Sequence, residues 1–432
     1  MGSVPFLVHQ FLTAATERQP DRPAIWDQAS WYTYAQLERW SNQIARWLCN
    51  VGIQRGDRVA MLMLNSKDYA ACYMGILKAG AVAVPLNTAS TAETLASCLK
   101  HAEAKVLLTQ KRFSKVVNRA LQQDLGLSMI GLLEDDAIAQ IAVRGGMHIQ
   151  GLGQIYRDVN DGPVDRQCID LDLAMIVYTS GSTGQPKGVM LSHLNLISNT
   201  RSIVHYLGLT SDDRVLVVLP FFYIYGNSLL LTHLMVGGSV VIENRFAFPQ
   251  VVLETMKDTS VTGLAGVPST FVILLDQSDL ADRRFESLRY VTQAGGHMPV
   301  SVQRRLAAAI APAKLYIMYG TTEAAPRLTF LEPQDLDRKA GSVGKAVLNV
   351  EIAVVDDQDR PVEPGQTGQV IARGSNIMVG YWRDPEETAK ALRNGWYHTG
   401  DMGWMDDEGY LYLVGRSQDI VKVGGQRVSI LE

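Results

Sequence analysis

The chain is poor in the features that mark a disulfide-stapled, zinc-binding or nucleic-acid-binding protein. It has four cysteines among 432 residues. Cys49, Cys72, Cys98 and Cys168 are scattered without CxxC spacing, so they fit reduced structural thiols better than a disulfide or zinc framework. A marked excess of either charge is missing too. With 40 basic and 44 acidic residues the net charge is −4, which gives no electrostatic reason to expect nucleic acid. No apolar run approaches the roughly 20 residues that span a bilayer. The opening stretch from Met1 to Val8 has no basic segment ahead of its short apolar run, which argues against a signal peptide. Phe6 stands where a myristoylation pattern needs Ser or Thr. Internal repeats and low-complexity tracts are absent as well. These absences predict a cytoplasmic protein with no membrane span. Its length allows two or three domains around substantial cores.

The most informative stretch that is present runs Tyr178-Thr179-Ser180-Gly181-Ser182-Thr183-Gly184-Gln185-Pro186-Lys187-Gly188. Glycines let backbone N–H groups close on phosphate oxygens, hydroxyls add donors, and the lysine supplies a point charge. Ala174 to Tyr178 reads as a buried strand ahead of it. Ser192 reads as the cap of a helix with apolar residues at Leu196, Ile197, Ile203, Val204 and Leu207. The order strand, phosphate loop, helix predicts a nucleotide site in an α/β fold. The common P-loop is excluded, because Lys187 is followed by Gly188 rather than Ser or Thr.

Before about residue 330 the pattern alternates between helix and strand. Thr33 and Gln36 form a capping box, and Val59 to Leu64 reads as a strand. A helix follows from Ser66 to Gly80, and Val82 to Pro85 reads as the next strand, completing a βαβ unit that requires a parallel, two-sided sheet. The span from about 145 to 170 reads as a surface segment. After about Thr329 the runs shorten (Val350 to Val355, Gln369 to Ala372, Tyr410 to Val414) between Asp/Gly/Pro turns, which predicts a small β subdomain. The last residues, from Asp419 through the Gly424-Gly425 turn to Glu432, stop inside a pattern. A continuation beyond them is expected.

Further signatures follow the loop in order: Tyr319-Gly320-Thr321-Thr322-Glu323, Gly380-Tyr381-Trp382, Gly395-Trp396-Tyr397-His398-Thr399-Gly400-Asp401, and Gly415-Arg416. An aromatic ring, a glycine, hydroxyls and a carboxylate at a strand end suit a base, a phosphate and a metal. A carboxylate after a glycine turn suits the two hydroxyls of a ribose. From about Thr33 to the last residue, this ordered set resembles the adenylate-forming superfamily. That superfamily comprises acyl- and aryl-CoA synthetases, carrier-protein ligases, peptide-synthetase adenylation domains and luciferases.

The resemblance implies two helix-covered mixed sheets packed together plus a small β-barrel, with a mobile C-terminal domain to follow. The implied N-terminal adenylation domain covers residues 1–417, with αβ subdomains to about 330 and the barrel from about 331 to 417. Residues 418–432 are then the hinge and the start of the C-terminal domain, with Gln418 at a hinge position where the family usually has Asp or Lys. The family reaction joins a carboxylate to the α-phosphorus of ATP, giving acyl-AMP and pyrophosphate. A thiol of CoA or of a phosphopantetheinyl carrier protein then takes the acyl group. By this match Thr179, Ser180, Gly181, Ser182, Thr183, Gly184 and Lys187 embrace the β- and γ-phosphates. Gly295, Gly296, Gly320 and Thr321 belong to the nucleotide site, Tyr319 stacks on adenine, and Asp401 and Arg416 bind the ribose. Thr322 contacts the α-phosphate, and Glu323, with Thr179, holds Mg2+. Lys187, Thr322 and Glu323 are the catalytic set, while His398 is a structural neighbour. With most of the C-terminal domain absent, slow adenylation and scant thiol transfer are expected.

The stretch Leu219 to Ser228 resembles the family's acid-pocket motif. The implied pocket is Tyr223, Ile224, Tyr225, Ser228, Thr270, Ala294, Met318 and Arg327. Ile224 occupies the position where peptide-synthetase domains place the Asp that pairs with an α-ammonium. An unpaired buried ammonium is costly, so an acyl or aryl acid is favoured over an ordinary α-amino acid. A stand-alone ligase loading a proline-like amino acid on a carrier protein is the alternative, since the Tyr223-to-Asn227 stretch is similar in such enzymes. A nucleotide-binding remnant without turnover and a luciferase-like oxidative role are the remaining readings.

Overall fold

In the computed structural model the described residues are 5–142, 146–179 and 186–416, together with the backbone of the short strands Ile420–Val423 and Gln426–Ser429. Two large, mostly parallel sheets dominate. The eight-stranded sheet runs, edge to edge, through Gly380–Tyr381, Lys187–Ser192, Leu173–Thr179, Val82–Pro85, Arg58–Leu62, Ala104–Thr109, Met129–Leu132 and His148–Gly151. The nine-stranded sheet begins with Lys345–Ala346, Arg327–Leu331, Lys314–Gly320 and Tyr290–Gln293. It continues through Gly263–Gly266, Arg214–Val217 and Ser239–Ile242 to Pro23–Asp27 and Ser30–Thr33.

Strand alternation explains the layering. Val59 and Met61 join one core with Val215 and Val217, whereas their neighbours Ala60 and Leu62, and Leu216, belong to two separate cores. Each strand thus sends every second side chain to a shared central layer. That layer holds helices Gln10–Arg18, Tyr34–Asn50, Lys67–Lys78, His193–Leu207 and Ile224–Val236 between the sheets. Helix Ile224–Val236 is buried from Ile224 through Leu234, as an all-round apolar helix must be. Helices on the outer faces complete the sandwich. A third, five-stranded antiparallel sheet (Val350–Val355, Gly368–Gly374, Trp396–Met405, Leu392–Arg393, Leu411–Arg416) curls as a half-barrel. No helix among the described residues is long and apolar enough to cross a membrane.

Local signals hold where they were physical. The Thr33–Gln36 capping box forms, Ser66 accepts the Tyr69 N–H at 3.0 Å, and Ser192 caps its helix with Asn195. Arg58–Leu62 and Val82–Pro85 pair in parallel around helix Lys67–Lys78. Four expectations need correction. The glycine-hydroxyl loop does not lead into a helix. The chain returns after it as strand Lys187–Ser192, antiparallel to Leu173–Thr179, and helix His193–Leu207 begins only beyond that strand. The apolar run from Val189 to Leu191 is too short for periodicity to separate strand from helix. The 145–170 span contains strand His148–Gly151, which closes the edge of a sheet, and helix Leu152–Asp158. The change of texture near residue 330 precedes the change of sheet, because Lys345–Ala346 still pairs with Arg327–Leu331. Finally, Gly380–Tyr381 leaves the β subdomain and pairs with Lys187–Ser192.

Two buried histidines make the fold acid-sensitive. His193 accepts the Val8 N–H on Nδ1 at 3.1 Å, which docks the N-terminal helix. His233 bridges the Leu229 carbonyl (2.9 Å) and the Tyr290 hydroxyl (3.1 Å). Burial lowers each to about 4. The unfolded chain therefore takes up protons below about pH 6.5 that the native state refuses, and stability falls as pH drops from there towards 4. Each histidine should cost roughly 2 kcal/mol at pH 5 relative to pH 7.5. Thermal unfolding across this range should show a falling midpoint. A His233→Gln variant, weaker at neutral pH, should lose less on acidification.

Candidate active site

Thr179 and Lys187 are cross-strand partners, so the loop's two ends are held side by side at the mouth of a cavity of about 810 Å3. Ser180, Gly181, Ser182, Thr183 and Gly184 lie outside the described residues. The Lys187 ammonium pairs with Glu387 on helix Pro385–Ala391 and lies 5.4 Å from the centre of the Tyr381 ring. Glu387 also receives Lys390 at 2.6 Å. Lys187 first, and then Lys390, hold its carboxyl down at about 2, so it is ionised at any physiological pH.

Opposite lies the end of strand Lys314–Gly320. A Cβ on Gly320 would fall 1.8 Å from the Pro326 carbonyl oxygen, so only glycine permits the tight return of the chain here. The next residues, Thr321, Thr322 and Glu323, all wall the cavity. Glu323 accepts the Tyr381 hydroxyl at 2.9 Å, and the Thr321 and Tyr397 hydroxyls meet at 3.3 Å. The Tyr319 hydroxyl donates to Asp401 at 2.6 Å, and Arg416 closes on the other Asp401 oxygen at 3.0 Å. Asp401 and Arg416 face each other across paired strands. Burial pushes the Asp401 carboxyl up, against the opposing pull of Tyr319 and Arg416.

The expected site residues divide into two groups. Thr179, Lys187, Gly295, Gly320, Thr321, Thr322, Glu323 and Arg416 line the cavity, as do Tyr223, Ile224, Tyr225, Ala294 and Arg327 of the expected acid pocket. Tyr319 and Asp401 stand behind its wall, and Gly296 is an exposed neighbour of Gly295 outside the lining. Tyr319 is 8% exposed with its hydroxyl committed to Asp401, and the Gly296 carbonyl accepts the Gln293 amide. Three pocket residues are also set back, each with its polar atom occupied. Ser228 donates to the Tyr225 carbonyl, the Thr270 oxygen accepts the Val267 N–H, and the Met318 sulfur accepts the Tyr206 hydroxyl. Tyr223 is half-exposed at the start of helix Ile224–Val236. His398 is buried against Gln369 at 2.7 Å, and burial lowers its pKa. Gln418 and the Gly424-Gly425 turn lie outside the described residues.

Sequence reading gave no role to Tyr381 or Glu387, which contact Glu323 and Lys187. The Gly380-Tyr381-Trp382 signature was the available hint for the first. Nothing marked the second. As a cation site the cavity offers Glu323, since Glu387, its other described carboxylate, is already paired with Lys187 and Lys390, and there is no cluster of three metal-ligating side chains among the described residues. One carboxylate fits Mg2+ when it is bound largely through phosphate oxygens and water.

Residues 12–382 match the AMP-binding enzyme family. A long-chain-fatty-acid–CoA ligase of Escherichia coli O157:H7 is 33% identical, over 95% of this chain and 77% of that protein. A feruloyl-CoA synthase of an Amycolatopsis species is 31% identical, over 95% and 78% respectively. Among solved structures, the anthranilate CoA ligase AuaEII in complex with anthranoyl-AMP superposes with a TM-score of 0.89 at 25% identity, covering 99% of this chain and 81% of that one. With the sheets, the cavity and the ordered motifs in agreement, this chain belongs to the AMP-binding enzyme family of adenylate-forming ligases.

Proposed function

We propose that this chain activates a carboxylic acid with ATP, forming an acyl-adenylate and pyrophosphate ahead of thioester formation on CoA. The observation that carries this reading is the single cavity. One side offers a lysine and hydroxyls, another the Thr321-Thr322-Glu323 turn and Arg416, and a third the apolar Ile224, Val267 and Ala294. A polyphosphate, a nucleoside and an apolar acid would each meet suitable chemistry without leaving it. The relatives named as fatty-acid and feruloyl ligases support the same class of acid.

Two anions must meet in this reaction, so positioning and charge neutralisation carry it. Lys187 would exchange Glu387 for the terminal phosphates. Thr322 would donate to the α-phosphate, and Glu323, with Thr179, would hold Mg2+. The metal would neutralise phosphate charge when bound. Asp401, fixed by Tyr319, would accept from the ribose hydroxyls beside Arg416. The acid would lie against Ile224, where no carboxylate waits for an ammonium. That absence favours acyl or aryl acids over a proline-like amino acid, and CoA ligation over amino-acid loading of a carrier protein.

ATP–pyrophosphate exchange with panels of fatty, aryl and amino acids tests the reading. Fatty or aryl acids should support exchange, and fastest exchange with proline would overturn the choice of substrate. Lys187→Ala should lower the exchange rate about a hundredfold. Glu387→Gln should tighten ATP several-fold in a titration, since it removes the anion competing for Lys187, yet leave AMP affinity unchanged. Asp401→Asn should weaken AMP at least about tenfold, because an amide accepts at one atom only.

A further inference from the structure

Three lysine or arginine side chains are buried among the described residues: Lys78, Arg327 and Lys339. Two are neutralised where they stand. Lys78 meets Glu38 at 2.7 Å, and Lys339 meets Asp406 at 2.7 Å and Glu408 at 2.6 Å. Arg327 is different. It is 2% exposed, its Nε has no hydrogen-bond partner, and no carboxylate lies within ion-pairing distance of it among the described residues. Its guanidinium lies 4.9 Å from the centre of the Tyr225 ring, and both residues wall the cavity.

The position is held firmly. The Arg327 N–H donates to Asn199, and its carbonyl accepts from Asn199 and Asn376, each at 2.9 Å. The side chain therefore departs from a fixed backbone. The groups it faces are two neutral phenols, Tyr206, which shares a hydrogen bond with it, and Tyr225, both kept protonated by burial. A ring face recovers only part of the cost of a desolvated cation, and the larger share remains without an anion. A guanidinium is also the side chain best shaped to take a carboxylate through two parallel hydrogen bonds.

We propose that Arg327 receives a second, non-reacting carboxylate at the far end of the acid substrate, so that the preferred substrates are dicarboxylic acids activated at one end. This rests on the acid-activating reading above and narrows its substrate class. Occupation completes the ion pair that the fold leaves open. The same charge repels an ammonium group, which sets amino acids aside for a reason independent of Ile224.

The test is isothermal titration of the full chain with free acids, dicarboxylates from succinate to sebacate against the matched monocarboxylates from butyrate to decanoate. AMP is titrated separately. At least one dicarboxylate should bind ten times more tightly than its monocarboxylate partner. In Arg327→Met the dicarboxylate should lose at least ten times more affinity than its monocarboxylate partner, and Arg327→Lys should restore part of the preference. Wild-type protein that binds every monocarboxylate as well as its matched dicarboxylate would overturn the proposal. So would an Arg327→Met variant that weakens both classes alike, which would assign the guanidinium to the reacting carboxylate or to the fold. Failure of AMP to bind would sink the nucleotide reading instead, while the ratio between the two acid classes would still decide this one.

Discussion

The hydrogen bond from Tyr319 to Asp401 is the constraint on which the site depends. Tyr319 ends a strand of the nine-stranded sheet, and Asp401 lies mid-strand in the curled antiparallel sheet. The bond crosses the seam between them. The contact from Tyr381 to Glu323 crosses a second junction, because Tyr381 is paired into the eight-stranded sheet and Glu323 follows a strand of the nine-stranded one. All three sheets are therefore tied within a few residues of one cavity. A buried polar group without such a partner would cost about 1–3 kcal/mol. The seam is thus held by groups that have no favourable alternative, and the cavity walls inherit its rigidity.

Electrostatics divides the cavity by end. One part presents Lys187 already matched by Glu387, and another presents Arg416 already matched by Asp401 behind the wall. Between them the wall formed by Ile224, Val267 and Ala294 carries no charge. Such an arrangement suits a ligand that is ionic at one end, hydroxylated at the other and joined to an apolar acid. The pairing also explains why the empty protein tolerates so many ionisable groups in one place. Among the described cationic side chains that line the cavity, Arg327 is the one without a carboxylate in ion-pairing distance.

What could be read from the sequence was what short-range physics decides. Capping at Thr33, Ser66 and Ser192, the βαβ unit from Arg58 to Pro85, and the late short strands all follow from local residue chemistry. The ordered motifs gave residues that line one cavity, among them Thr179, Lys187, Thr321, Thr322, Glu323 and Arg416. What escaped was long-range pairing. Nothing local says that Lys187–Ser192 returns as a strand, or that Tyr381 crosses to pair with Val189. Glu387 escaped for the same reason, since it reaches Lys187 only because that crossing carries its helix to the loop. Residues set behind the wall, such as Ser228, Thr270 and Met318, share a pattern with residues that line it. Side-chain direction in a helix buried all round cannot be read from periodicity.

The lysine–glutamate pair also separates the two ends of the site thermodynamically. In the proposed binding mode a ligand lacking terminal phosphates would have nothing to offer Lys187 and would leave that pair closed, while still engaging Asp401 and Arg416. A triphosphate would have to break the pair and would recover only the difference between its own charge and that of a carboxylate. Such a pocket would distinguish nucleotide states by an exchange of anions, with Glu387 as the protein's own placeholder.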